Sequence, residues 1–136
     1  MSIKEKQVQL ARYRLKQAKE TVDEAEYLFE GGKSPRSVIN RAYYAMYYSI
    51  LALLIFEQFV SSKHSGMLSF FNKQYIKNEI FPKEMGRWIN KAFELRQQGD
   101  YRECADLAYE QVEPYIEYAK TFIQRVEEYL GKNRFA

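Results

Sequence analysis

Between residues 3 and 30, apolar side chains fall at Val8, Ala11, Leu15, Ala18, Val22, Ala25 and Phe29, spaced alternately three and four. That spacing predicts one long helix with a single face packed along another helix. Gly31-Gly32 ends it, because glycine weakens a helix interior and readily takes the left-handed conformation at a helix C-terminus. Ser34-Pro35 restarts the chain as N-cap and first helical residue, and a second helix is expected to run to about Val60. From Ser37 to Ser62 only Arg41 and Glu57 are charged. A helix apolar on nearly all sides belongs at the centre of a bundle or in a subunit contact.

Residues 64–98 predict two shorter helices. The first carries Met67, Leu68, Phe70, Phe71, Tyr75 and Ile76, and the second Met85, Trp88, Ile89, Ala92, Phe93 and Leu95. Asn78 to Pro82 separates them, since proline disfavours helix in the residue before it. The second ends near Gly99. A last helix is expected over 102–130, on the seam Ala105, Ala108, Val112, Tyr115, Ala119, Phe122, Val126 and Tyr129, kinked at Pro114 and stopped at Gly131. The long helices would each measure about 38–42 Å, and the broken pair fills the same length. Short connections make sequential neighbours antiparallel. The expected fold is all-α: one domain over 1–136, an up-down helical bundle of four to five helices with its third layer broken. In it Arg41, Arg96, Asp100 and Tyr101 gather at one end, while His64 lies at the other, about 30 Å from Arg41 by helix rise.

Composition sharpens this picture. The chain has 136 residues, one cysteine (Cys104), one histidine, one tryptophan and 12 tyrosines. A lone cysteine excludes an intrachain disulfide and fits a reducing compartment. A lone histidine excludes a multi-histidine metal site within one chain, and no metal or cofactor is expected. The N-terminus is charged from Lys4 and lacks the apolar core of a signal peptide. The longest uncharged stretch, Ala42 to Phe56, is 15 residues, short of the roughly 18–20 a spanning helix needs. A cytoplasmic protein with no membrane association is expected.

Four constellations could carry chemistry. Ser37, Arg41, Tyr44 and Tyr48 share one stripe of the second helix. A lone arginine in an apolar helix must find partners. Two readings stay open: a phosphate-binding pocket, with a guanidinium fork and tyrosine rings for a nucleotide, or an internal ion pair from Arg41 to Asp100. Tyrosine at this density also suits a self-complementary interface. In LRQQGDY, residues 95–101, Asp100 caps the next helix or pairs with Arg41. His64, in SSKHSGM, is a surface or capping residue in an isolated chain, or a general acid or base if a second subunit brings it near the polar stripe.

Net charge is only +3, yet it is unevenly spread. Residues 102–130 hold seven acidic against three basic side chains, whereas 63–91 hold Lys63, Lys73, Lys77, Lys83, Arg87 and Lys91 against Glu79 and Glu84. Lys83, Arg87 and Lys91 make one stripe, with Trp88 beside it, which suits either a solvated face or contact with single-stranded RNA. Gly-rich phosphate loops, zinc spacings, nucleophile elbows and Glu-x-x-His motifs are absent from the sequence.

NRAYYAMYY at 40–48, KHSG at 63–66 and RQQGDY at 96–101, in this order on an all-helical chain, closely resemble the HEPN-domain family, in particular its small stand-alone prokaryotic group. The resemblance covers nearly the whole chain. It implies a helical bundle, usually homodimeric, often encoded beside a minimal nucleotidyltransferase as the toxin half of a toxin–antitoxin pair. Catalytic relatives are metal-independent ribonucleases whose motif is an Arg, four to six residues, and a His. The Arg matches Arg41. The candidate His positions hold Met46, Tyr47 and Tyr48, and Tyr, with a pKa near 10, cannot replace His as a base at neutral pH. Tyr48 also matches the tyrosine that the nucleotidyltransferase of toxin relatives modifies with AMP.

The sequence therefore points first to a dimeric RNA- or nucleotide-binding protein that works with a nucleotidyltransferase. Its expected binding set is Ser37, Asn40, Arg41, Tyr44, Tyr48, Arg96, Asp100 and Tyr101, flanked by the basic face Lys73, Lys77, Lys83, Arg87 and Lys91. One alternative is a metal-independent endoribonuclease using Arg41 with the partner subunit's His64. Another is a non-catalytic homodimeric interaction module.

Overall fold

A computed structural model describes residues 1–57, 59, 61–100 and 107–135. Among them there is no strand. Helix α1 (Ile3–Glu30) opens on a reciprocal cap: the Ser2 hydroxyl accepts from the Glu5 amide at 3.1 Å, and the Glu5 carboxylate accepts from the Ser2 amide. The chain leaves α1 through Gly31 and Gly32, the latter at φ +70°, a conformation glycine adopts without steric cost. Helix α2 (Pro35–Leu54) begins as expected, with Ser34 capping the Ser37 amide and Pro35 in the first turn.

The third layer is broken as the sequence implies. Helix α3 (His64–Phe71) runs on into a π-helical turn (Asn72–Ile76), and α4 (Lys83–Asp100) follows a bend at which Glu79 takes φ +61°. The last layer starts with the single turn α5 (Tyr109–Val112) and continues as α6 (Pro114–Asn133). Pro114 thus opens α6 rather than kinking a continuous helix, a position where its missing N–H costs nothing. The expected start of this helix at 102 lies outside the described residues. Residues 101–106, including Ala105, lie outside the described part, and Ala108 is exposed and extended. Nor does Gly131 stop the helix, which continues to Asn133 with open space where a side chain would stand. The Tyr109 hydroxyl reaches the carbonyls of Gly32 and Lys33 at 2.9 and 2.6 Å, tying α5 to the turn between α1 and α2.

Helix α2 is the axis of the bundle. It packs against α1, α4 and α6 and also touches α3 and α5. Val38, Ile39, Ala42, Tyr43, Ala45, Met46, Ile50, Ala52 and Leu53 have no solvent exposure. It stops at Leu54, six residues before the expected end. The amides of Phe56 and Glu57 close tight bonds to Leu53 and Leu54, and the turn is held by side chains from elsewhere. Gln7 donates to the Ile55 carbonyl, while Tyr75 and Arg134 both engage the Glu57 carboxylate. These tertiary partners override the helical periodicity and let the chain double back along α2.

Phe122 of α6 is fully buried, with its ring centre 5.4 Å from that of Phe71. Phe122→Ala is expected to cost about 3–5 kcal/mol in urea denaturation. A loss below about 1 kcal/mol would mean that α6 does not pack on the third layer this way.

Candidate functional site

The doubling back brings the single histidine to the middle of α2. His64 is the first residue of α3, and its Nδ1 lies 2.9 Å from the Tyr43 hydroxyl. Its ring stacks on Tyr47 at 4.2 Å and 15°, and meets Tyr44 edge-on at 5.5 Å. The expected 30 Å separation from Arg41 is therefore wrong. It assumed that α2 continues to Val60, and the early end of α2 returns the chain by several turns. Arg41 and His64 both contact the ring of Tyr44, from α2 itself and from α3 respectively.

Arg96 of α4 closes the cluster. Its Nη1 donates to the Tyr44 hydroxyl at 2.8 Å, and its Cζ lies 5.0, 5.4 and 5.6 Å from the ring centres of Tyr43, Tyr44 and Phe93. Three rings attract this cation through their quadrupoles. No carboxylate pairs with it among the described residues, and its Nε is buried without a hydrogen-bond partner. Leaving a charged donor unmatched is costly.

The expected ion pair from Arg41 to Asp100 is not formed. The Nε and Nη2 of Arg41 donate to Asn40 Oδ1 at 3.1 Å, and Nη1 pairs with Glu24 of α1 at 3.4 Å. Glu24, not Asp100, is thus its ionic partner. The pair is partly exposed and weak by that measure. Asp100 is exposed and lines an open hollow of about 450 Å³ together with Arg36, Ser37, Asn40 and Arg41 at the start of α2. Ser37 also shares a 2.9 Å hydrogen bond with Ser34. Tyr48 is half-buried, 5.8 Å from Tyr44. Tyr101 lies outside the described residues.

Burial chiefly, and then the charge of Arg96, hold the His64 pKa below its ordinary value. Burial also pushes the Tyr43 hydroxyl far above the usual tyrosine range and the Tyr47 hydroxyl upward. At neutral pH the imidazole is accordingly uncharged and Tyr43 protonated, so they share one hydrogen bond without a net charge. Met46, which occupies the first motif histidine position, is fully buried in the core. The imidazole that the motif lacks on α2 is carried by α3 onto the face of Tyr47.

The basic stripe belongs to another surface. Lys83, Arg87 and Lys91 are exposed, but Arg87 and Lys91 each have an acidic neighbour within 3.5 Å, Glu84 and Glu94. Trp88 stacks at 4.6 Å and 5° on Tyr118 of α6, which makes it a packing residue. At about 100° per residue, Arg87 and Arg96 point roughly oppositely from α4. Lys73 and Lys77 are exposed in and just after the π-helical turn. Sequence reasoning missed Tyr43, Tyr47 and Phe93. Their signals were the i, i+4 pair beside the Tyr44–Tyr48 stripe and an aromatic one turn before Arg96.

Comparison with known proteins decides the family. A HEPN domain profile matches residues 11–129. The chain belongs to the HEPN family. It is 37% identical over 127 residues to a UPF0332 protein of Thermotoga maritima, covering 93% of each chain. It is also 32% identical over 113 residues, 83% of each, to a Methanocaldococcus jannaschii protein described as a candidate toxin. A second such protein of that organism matches at 33% over 92 residues, 68% of this chain and 63% of its own. In this HEPN chain, among the described residues, no three His, Cys, Asp or Glu side chains cluster as metal ligands and no helix is long and apolar enough to cross a membrane.

Because the chain has one histidine, its titration can be read directly by NMR. The His64 midpoint is expected below 6.5, and Arg96→Ala should raise it. Since the folded pKa is depressed, His64 contributes stability that is present above the unfolded value of about 6.5 and is lost as pH falls toward the folded midpoint. A midpoint at or above 6.5 would contradict the packing of His64 against Arg96.

Proposed function

We propose that this chain is a cytoplasmic, toxin-like HEPN protein that binds RNA through the α2 face. Arg41 and Arg96 take the phosphates, while the half-buried rings of Tyr44 and Tyr48 lie between and beside them. The observation that carries this reading is Arg96, a guanidinium held by three aromatic rings with no carboxylate partner among the described residues. Arginine with interleaved aromatic faces suits single strands, whose phosphates and bases alternate. The relatives described as candidate toxins favour a role of that kind.

Three further elements belong to the reading. A second copy packs near this face, where Tyr27 of α1, beside Arg41, stands 76% exposed; sedimentation equilibrium tests it. A nucleotidyltransferase partner modifies Tyr48, whose hydroxyl makes no hydrogen bond among the described residues; an unchanged intact mass after incubation with that partner and ATP would count against it. Cleavage is the second reading, favoured by the neutral imidazole of His64 beside Arg96 in the same chain. It predicts that wild type degrades a labelled RNA pool without added metal and that His64→Asn does not.

For binding, the expected dependence on salt is steep. Each phosphate contact in a single strand contributes a slope of about −0.7 to the logarithm of affinity against the logarithm of salt. Arg96→Ala and Arg41→Ala should each weaken binding and flatten the slope by about that amount. Equal affinity and slope in wild type and Arg96→Ala, measured by fluorescence anisotropy, would exclude the α2 face as the binding site.

A further inference from the structure

One turn along α3 from His64, Met67 forms part of the wall of an open cavity of about 430 Å³, which also touches Leu10, Arg14, Tyr47, Leu51 and Phe59. It is continuous with the cluster above, because Tyr47 presents one ring to His64 and also lines this space. Its walls are mostly apolar, and the polar side chains on them are Arg14, Tyr47 and Ser61. The Tyr47 hydroxyl has no hydrogen bond among the described residues. Arg14 donates to Gln17 at 3.0 Å and has no carboxylate partner among the described residues. The guanidinium is near enough to Tyr47 for its charge to oppose the upward push of burial on that hydroxyl.

Mostly apolar walls, a size within the range of small-ligand sites and the donors of Arg14 and Tyr47 among the lining suit a planar ring with an acceptor-rich edge. The geometry points to this cavity as the seat of a guanine base, its acceptor edge facing Arg14 and the Tyr47 hydroxyl, with its strand's phosphates on Arg96 and Arg41. The inference rests on the RNA reading of the α2 face. Spacing supports it: from Tyr44 to Leu51 is about 10 Å along α2, which two or three nucleotides cover at about 3.4 Å per stacked nucleotide. Guanine is the base that offers an arginine two adjacent acceptors, O6 and N7. Adenine places the N6 donor where guanine has O6 and leaves only N7 to accept from the guanidinium.

The test compares three pentaribonucleotides, a uridine run and the same run with one central guanosine or adenosine. Anisotropy gives affinity, and a carbon-13 methyl label on methionine reports Met67. Wild type should prefer the guanosine pentamer to the adenosine one by about tenfold, within the discrimination expected of a bidentate pair. The Met67 methyl should move with guanosine and not with adenosine. Arg14→Ala, a helix-compatible change on a half-buried position, should reduce the preference to less than about twofold. Arg96→Ala should lower affinity for all three pentamers and keep the preference. If all three bind equally, or the preference survives Arg14→Ala, the base pocket is wrong and the phosphate site stands. If none binds, both readings fall. A Met67 signal that follows protein concentration rather than guanosine would make a second copy of the chain the occupant, and would also overturn the proposal.

Discussion

Helix α2 is buried on nearly every side, and this constraint shapes both the fold and the chemistry. An apolar helix of 20 residues must be covered, so α1, α4 and α6 pack around it and the short helices close the gaps. Its polar groups are then confined to the places where neighbours leave an opening. There Arg41 meets α1, and Tyr43, Tyr44 and Tyr47 meet α3 and α4. Tyrosines suit such a boundary because each buries a ring and keeps one hydroxyl for a partner.

The electrostatics of the cluster follow from that burial. In a partly dry environment charge is held by aromatic faces and a few donors, and each unmatched group matters more than it would in water. His64 responds by staying neutral and Tyr43 by staying protonated. Arg96 cannot respond in that way, because a guanidinium does not release its proton. It therefore remains the fixed positive charge of the site. Arg41 is the more exchangeable of the two, since its carboxylate partner Glu24 is more than half exposed.

Much of the architecture was legible in the sequence, and the reasons are local. The three-four spacing and the Ser2 and Ser34 caps locate α1 and the start of α2, and the charge-free run from Ala42 marks the central helix. The break before Pro82 marks the divided third layer. What was not legible depends on tertiary partners. Glu57 ends up between Tyr75 and Arg134, and nothing in the local pattern announces that α2 must stop for it. That one early stop moves His64 from the far end of the bundle to the ring of Tyr47. The partner of Arg41 was misjudged for a related reason: Glu24 sits on the outward face of α1, where helical periodicity assigns only solvent. The HEPN motifs singled out Arg41, His64 and Arg96, without the geometry that joins them through Tyr44.

The most direct test is the His64 titration with and without a saturating single-stranded RNA. A phosphate beside Arg96 offsets its positive charge and adds a negative one near the imidazole. The account predicts that the His64 midpoint rises when RNA is bound and returns when RNA is removed by salt. A midpoint that stays fixed or falls while anisotropy shows the RNA fully bound would place the RNA elsewhere on the protein and contradict the account.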